Sequence, residues 1–479
     1  MKKTILLLFI YIAFTLTTAG QSNTREFRGA WMHTVWQTQY KSRTTEQNKA
    51  TLCRQLDSLQ SMGINAVIFQ VRPQADAFYS SALEPWSIYL TDGGKAPAPF
   101  WDPLQFMVEE CHARGMELHA WLNPYRVTSN SRQIASLPRK HLYRSEPKRF
   151  VKFGGKLYFD PGLPENRHFI VKVVADIVSR YDVDGIHFDD YFYPYPIKGK
   201  VFPDASSFAK YGKGMKRDQW RRHNVDMLIK EVHEKIVSIK PWVRFGISPF
   251  GIYRNKKSSP EGSDTNGLET YDSLYADVLL WEKEGWIDYL MPQLYWELDH
   301  KTASYRVLVD WWNSHVGKNR HLYIGQDVMR CISKNELEKK MSLARSANNI
   351  SGICWWPAYS LFGNAKCTKV ADMHSELSPC PSYPWIWNEK PGAVKDLKPV
   401  SEREFKWKGS KPQGKPSDVV KYAVYRFNSL QDARKGEEGS IIAITPATTF
   451  TAMENGVYAV TAIDRVNNES ELSNPIVIK

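Results

Sequence analysis

Two adjacent acids, Asp189 and Asp190, end a short apolar run that extends from Val183 to Tyr191. If the run is a β-strand, its side chains alternate between two faces, and His187 and Asp189 share the face opposite the apolar residues. Burying two neighbouring acids costs free energy unless they are paired or used. Glycoside hydrolysis is one reaction that uses two carboxyl groups. The pair is therefore the first candidate for catalysis.

Polar and aromatic side chains also end most of the other apolar runs. Carboxylates and amides hydrogen-bond hydroxyl groups, and aromatic rings cover the C–H patches of sugars, so this lining suits a polyhydroxylated substrate. Alternation and position at the strand ends predict the following substrate-binding residues: Arg72, His119, Trp121, Asn123, Arg126, His187, Gln293, Tyr295, Asp327 and Trp356.

The catalytic roles follow from the same alternation. Asp189 is predicted to be the nucleophile or base. Glu297 shares a strand face with Gln293 and is predicted to be the proton donor, with Asp190 and Asp327 as alternatives. The prediction for Glu297 depends only on the alternation of side chains along one strand.

The elements that must position these residues are alternating short apolar runs and longer helical patterns, which are typical of βα units around a parallel sheet. Eight units in order predict a (β/α)₈ TIM barrel, in which catalytic groups lie at the carboxyl ends of the strands. The predicted strands are Phe27–His33, Ile64–Arg72, Glu117–Tyr125, Val183–Tyr191, Val243–Gly251, Ile287–Trp296, His321–Asp327 and Ile350–Pro357.

Helix boundaries and loops can also be predicted. Asp102 followed by proline is an N-cap signal for a helix that ends at Gly115. The spacing from Ser333 to Glu336 indicates a capping box. The length beyond an ordinary barrel is assigned to two loops, Asn130–Gly155 and Asn255–Leu268.

The sequence pattern changes near residue 387. Short alternating runs replace the helical patterns, and they indicate an all-β sandwich that resembles a fibronectin type III domain. The predicted organisation is a leader over residues 1–20, a barrel over 25–387 and the sandwich over 388–479. We expect no helix in the sandwich.

The N-terminus reads as a secretory signal, with Lys2 and Lys3 before an apolar run of about 12 residues, too short to span a membrane. Its removal would leave a chain without a membrane span, exported to the periplasm or cell envelope, or secreted. The formal net charge is +13, and it is compatible with an anionic wall surface. The basic residues are scattered, so a nucleic-acid partner is not expected.

Other reaction classes leave signatures that can be sought. The sequence contains no GxSxG elbow, HExxH pair, P-loop or GxGxxG. Two alternatives stay open: a metal-dependent polysaccharide deacetylase using His187 with the two acids, and a catalytically silent barrel that only binds glycan. For the preferred glycosidase we expect no cofactor and no metal.

Six motifs in order resemble the bacterial glycosyl hydrolase-like family 10. They begin at Glu26, Phe69, Ala120, Asp184, Ser248 and Met291, and read EFRGAW, FQVRP, AWLNPY, DGIHFDDYFY, SPFG and MPQLYW. The resemblance implies an exported barrel related to sugar-cleaving enzymes, with members thought to cut peptidoglycan glycan strands that have lost their stem peptides. It also implies an Asp nucleophile at the end of the fourth strand, where Asp189 stands.

Overall fold

The computed structural model describes residues 25–316, 319–363, 368–437 and 439–479. The predicted leader, residues 1–20, lies outside the described residues. Within the described part, no helix combines the length and the apolar character needed to cross a membrane.

Eight parallel strands close into a barrel in the order β1-β10-β9-β8-β7-β6-β3-β2, and β4 pairs with β5 in a separate hairpin. This confirms the predicted fold class, and each barrel strand falls inside one of the predicted runs. The strands are β1 (Phe27–Met32), β2 (Ala66–Arg72), β3 (Glu117–Leu122), β4 (Phe150–Phe153), β5 (Lys156–Phe159), β6 (Gly185–Phe188), β7 (Arg244–Ile247), β8 (Tyr289–Leu290), β9 (His321–Asp327) and β10 (Ile350–Trp356).

Helices cover the outside of the barrel. They are α1 (Gln39–Ser42), α2 (Thr45–Ser61), α3 (Pro103–Ala113), α4 (Arg132–Ser136), α5 (Leu142–Ser145), α6 (Pro164–Arg180), α7 (Ala205–Tyr211), α8 (Arg217–Ile239), α9 (Thr270–Ser273), α10 (Val278–Lys283), α11 (Tyr305–His315), α12 (Val328–Ser333), α13 (Leu337–Ser346) and α14 (Thr368–Met373), with 3₁₀ turns at Pro147–Arg149 and Ala358–Leu361.

Of the predicted helix boundaries, one is confirmed and one is wrong. The Asp102 side chain accepts hydrogen bonds from the first backbone amides of α3, as predicted. The capping box at Ser333 and Glu336 was wrong, because α12 ends at Ser333 and its hydroxyl donates back to the Arg330 carbonyl. Asn335, with φ of 54°, then turns the chain into α13. The segment predicted as the loop Asn130–Gly155 also holds α4, α5 and β4.

The C-terminal region forms two antiparallel sheets, β11-β12-β15 and β14-β13-β16-β17, whose facing sides share one apolar core. A short helix, α15, lies between β13 and β14, so the expectation of no helix was wrong. The bounds are β11 (Lys395–Pro399), β12 (Glu404–Lys408), β13 (Val419–Phe427), α15 (Leu430–Lys435), β14 (Ser440–Thr445), β15 (Thr449–Thr451), β16 (Gly456–Asp464) and β17 (Ile476–Ile478).

This C-terminal region packs against the amino ends of the barrel strands. Glu117, the first residue of β3, accepts a hydrogen bond from Asn467 at 2.8 Å and pairs with Arg244 at 2.7 Å. Arg465 pairs with Asp182 at 2.8 Å beside them. These contacts close the lower end of the barrel and leave the carboxyl ends of its strands as the open face.

Candidate active site

A cleft of about 180 Å³ opens at the carboxyl ends of the barrel strands. Several of its residues stand just beyond a strand end: β3 and β6 are last paired at Leu122 and Phe188, and Asp189 follows directly. The lining residues are Trp31, Trp121, Asp189, Tyr191, Ser248, Gln293, Tyr295 and Trp356. An acid, an amide, hydroxyls and three indole rings thus meet in one place.

Asp189 is held by three N–H donors on the floor of this cleft. The side-chain amides of Asn123 and Gln293 each donate to it at 3.2 Å, and the Asp190 backbone N–H donates at 2.9 Å. Its side chain is 7% exposed. These three hydrogen bonds fix the position of the Asp189 carboxyl group on the floor of the cleft.

The neighbouring Asp190 is only 2% exposed and accepts a hydrogen bond from the Tyr195 hydroxyl. Burial and the Asp189 carboxylate, which lies within hydrogen-bonding distance, raise the pKa of Asp190 well above its ordinary value. Two acids in contact cannot both ionise cheaply. The raised pKa favours the protonated form of Asp190.

The orientation of Asn123 is fixed by its neighbours. Its amide oxygen accepts from Gln70 at 2.8 Å and from Arg126 at 3.0 Å, which turns its NH₂ toward Asp189. Gln70 is itself oriented, because its oxygen accepts from the backbone amides of Thr34 and Val35. The Arg126 guanidinium also lies over the Tyr191 ring, 5.0 Å from its centroid.

Arg72 lies beneath this network and does not reach the cleft. It is fully buried in a bidentate ion pair with Glu84, and it donates to the backbone carbonyl of Asn123 at 2.6 Å. Asp76, four residues further on, accepts from the backbone N–H of Ile88. Arg72 thus positions Asn123 and is shielded from substrate.

A hydrogen-bonded column fills the barrel below the cleft. His187 contacts Ser248 at 2.9 Å and Tyr289 at 3.0 Å, and Tyr289 contacts His119 at 2.9 Å. Burial holds the pKa of His187 well below its ordinary value, so the ring is neutral. His119 is fully buried at a lower level, next to Glu117, and does not line the cleft.

Glu297 stands apart from the acid pair. Its carboxylate pairs with Lys334 at 3.6 Å, and it is not among the residues that line the cleft. Its own backbone N–H, together with nearby Arg330 and Lys334, lowers its pKa. Asp327 caps α12 by accepting from the Arg330 backbone N–H at 2.9 Å.

Five of the predicted site residues line the cleft: Trp121, Asp189, Gln293, Tyr295 and Trp356. Directly behind them lie Asn123, Arg126, His187 and Asp190, whereas Arg72, His119 and Glu297 are separated from the cleft. Tyr191 and Tyr195 were missed as site residues. Their signal was the aromatic-rich stretch directly after the two acids, whose rings stack at 5.5 Å.

Metal ligation is a separate matter. Among the described residues, no three His, Cys, Asp or Glu side chains are grouped so that they could hold a metal ion.

A closed (β/α)₈ barrel with an acid pair and indole rings at the carboxyl ends of its strands defines a TIM-barrel glycoside hydrolase. The comparison with protein families agrees, since the model of glycosyl hydrolase-like 10 matches residues 26–342. The chain belongs to this family, and it is a glycoside hydrolase.

Two curated relatives carry the same class of name. Glycosyl hydrolase YngK of Bacillus subtilis (strain 168) is 38% identical over 95% of this chain and 94% of its own length. Glycosyl hydrolase DigH of Escherichia coli (strain K12) is 41% identical over 69% of this chain and 83% of its own. Among solved structures, the catalytic domain of a Paenibacillus polymyxa beta-amylase shares 13% identity at a TM-score of 0.47, covering 74% of this chain and 98% of that one, which is too distant to carry an argument.

Proposed function

We propose that this glycoside hydrolase is exported and cleaves peptidoglycan glycan strands, most readily those whose stem peptides have been removed. The observation that carries the proposal is Asp189 at the floor of a cleft walled by indole rings, with Asp190 directly behind it. The leader-like N-terminus and the net charge of +13 support an envelope substrate.

The acid chemistry divides between the two residues. Asp190 is the proton donor to the leaving oxygen, because burial and the neighbouring Asp189 carboxylate raise its pKa well above its ordinary value and favour its protonated form. Asp189, held in place by three N–H donors, stabilises positive charge near the anomeric carbon. Glu297 does not serve as the donor, because its own backbone N–H, with Arg330 and Lys334 nearby, lowers its pKa and favours the carboxylate.

The size and lining of the cleft support a bare glycan. At about 180 Å³ it is smaller than the ~300–1,000 Å³ typical of ligand pockets and suits a single sugar unit. None of its described lining residues is Lys or Arg. An acidic stem peptide would therefore find no cation in the cleft.

The test is mass spectrometry of the soluble products after the purified protein is incubated with intact and with amidase-stripped peptidoglycan. Asp189→Asn is run beside the wild type. The matched control is Asp57→Asn, which makes the same chemical change at an exposed position of α2. We expect glycan fragments from stripped strands with wild type and control, and none with Asp189→Asn.

The other outcomes point to the alternatives. Chelator-sensitive release of acetate without chain shortening would favour the deacetylase. Binding of the strands with no product from either preparation would contradict peptidoglycan cleavage and favour a glycan-binding barrel.

A further inference from the structure

The distance between the two acids limits what they can do together. Asp189 and Asp190 are consecutive at the end of one strand, and the Asp189 carboxylate accepts the backbone N–H of Asp190 at 2.9 Å, so no sugar ring fits between the two side chains. A nucleophile and an acid that flank a glycosidic bond stand ~5–5.5 Å apart in retaining enzymes, and a base and an acid ~6.5–9.5 Å apart in inverting ones. The pair is too close for either arrangement, so the two carboxyl groups act from the same side of the scissile bond.

A third carboxylate does not complete the set within the described residues. Asp189 is the one acid among the described residues that line the cleft, and Asp190, 2% exposed, lies directly behind it. Glu297 is paired with Lys334, and Asp327 is occupied as the cap of α12. The group that attacks the anomeric carbon from the far side must therefore come from elsewhere.

We propose that the nucleophile belongs to the substrate: the carbonyl oxygen of a 2-acetamido group attacks its own anomeric carbon, so the cleft selects 2-acetamido-2-deoxy sugars at the cleaved position. This inference rests on the proposed function and deepens it. The Asp189 carboxylate accepts the acetamido N–H, and Asp190 donates to the leaving oxygen.

The remaining lining residues suit this ligand. Burial and the nearby Asp189 carboxylate raise the pKa of Tyr295 well above its ordinary value, so its phenol stays a neutral donor for the acetamido oxygen. Trp31 and Trp121 line the same cleft and offer an apolar surface for the acetamido methyl group.

The reaction balances in two steps. First, the acetamido oxygen forms a bond to the anomeric carbon as the bond to the leaving oxygen breaks. The leaving oxygen takes the Asp190 proton, and the oxazolinium N–H stays hydrogen-bonded to Asp189. Second, water gives a proton to the Asp190 carboxylate and its oxygen bonds to the anomeric carbon. The ring bond breaks, the acetamido group is restored, and the anomeric configuration is retained.

The first test measures binding of the thiazoline of N-acetylglucosamine, a sulfur analogue of the cyclic intermediate, by calorimetry. Analogues of this kind bind roughly 100-fold or more tighter than the substrate, so we expect at least that margin over N-acetylglucosamine itself. Asp189→Asn should remove the margin and Asp57→Asn should keep it. Equal binding of the thiazoline and the parent sugar by the wild type overturns the inference.

The second test follows the products of the wild type, and so needs no variant to fold. We expect fragments from stripped, N-acetylated strands whose new reducing ends appear first in the retained configuration by proton NMR, and none from the same strands after chemical removal of the acetyl groups. Inverted products, or equal cleavage of deacetylated strands, overturn the inference while leaving the proposed function intact. If stripped strands give no fragments at all, the proposed function fails, and the thiazoline measurement still decides whether the cleft is built for an acetamido sugar.

Discussion

The ion pair between Arg72 and Glu84 links the stability of the barrel to the geometry of its cleft. Its two bonds measure 2.7 and 2.6 Å, and the side chains are 0% and 3% exposed. The third guanidinium nitrogen donates to the carbonyls of Asn123 and Pro124. The Arg72 guanidinium thus fixes Asn123, whose side-chain amide donates to Asp189.

Glu84→Gln keeps the shape of the acid and removes its charge. The Arg72 guanidinium then stays buried without an anion, and we expect the free energy of unfolding to fall by about 3–5 kcal/mol. The matched control is Asp92→Asn. Asp92 also pairs at 2.6 Å, with Lys41, but its side chain is 89% exposed, so the expected loss is about 0–1 kcal/mol.

Urea denaturation followed by tryptophan fluorescence measures both losses. Hydrolysis of stripped strands in the native range measures the second effect. We expect Glu84→Gln to lower kcat, because Asn123 loses its anchor, while Asp92→Asn leaves kcat unchanged. Equal losses of stability in the two variants would refute the reasoning. The Arg72–Glu84 and Lys41–Asp92 bonds are of similar length, and burial is the main difference between the two pairs.

Three further changes test other parts of the molecule. Burial raises the pKa of Asp226 to about 7, above the unfolded value of ~3.9, so its stabilising contribution is complete below about pH 4 and lost as pH rises to about 7. Asp226→Asn should flatten the dependence of Tm on pH in calorimetry, and an unchanged slope would contradict this. Trp356→Ala should raise KM for glycan about tenfold, the equivalent of 1.4 kcal/mol of ring contact, and Trp356→Phe should recover part of it; equal KM values for wild type and both variants would exclude a stacking role. Gly246→Ala would place a Cβ 2.0 Å from a tyrosine ring and should cost about 3 kcal/mol in urea denaturation, whereas Gly392→Ala meets nothing within 4 Å; similar losses from the two would contradict the packing.

The barrel could be predicted because each of its strands is a short apolar run between helical patterns, and that signal is local. Strand β3, for example, lies wholly within the predicted run Glu117–Tyr125. Contacts distant in sequence left no comparable signal. Glu84, 12 residues after Arg72, and Asn467, 350 residues after Glu117, could not be paired with their partners from pattern alone.

The assignment of Glu297 shows where parity stops being useful. The predicted strand Ile287–Trp296 is a strand only at Tyr289–Leu290. Gln293 still bridges to Phe250 and Gly325, which keeps it at the barrel mouth. By Glu297 the chain has turned away toward Lys334. Alternation predicts direction only while the backbone stays extended, so it could not place Glu297 relative to Asp189.

The charge state of the hydrogen-bonded column inside the barrel bears on the protonation of Asp190 above it. Trp31 has only an N–H to offer, so the His187 nitrogen that it meets at 3.3 Å must be the unprotonated one. The other His187 nitrogen then donates to Tyr289, whose hydroxyl donates to His119, which donates to Glu117. His187 itself is neutral, because burial holds its pKa well below its ordinary value.

The two ends of the column therefore differ in charge balance. Although burial raises it, Arg244 and His119 hold the pKa of Glu117 well below its ordinary value, so the acid at the closed end is a stable anion. At the open end the ring beneath the cleft is neutral, and Asp190 has Asp189 and the Tyr195 hydroxyl as its neighbours. An acid beside a cation serves structure, and an acid beside another acid retains a proton that it can donate. Replacing His187 by a residue with a permanent positive charge should therefore lower the pKa of Asp190 and remove the basic limb of the pH–activity profile. His187→Gln should preserve that limb.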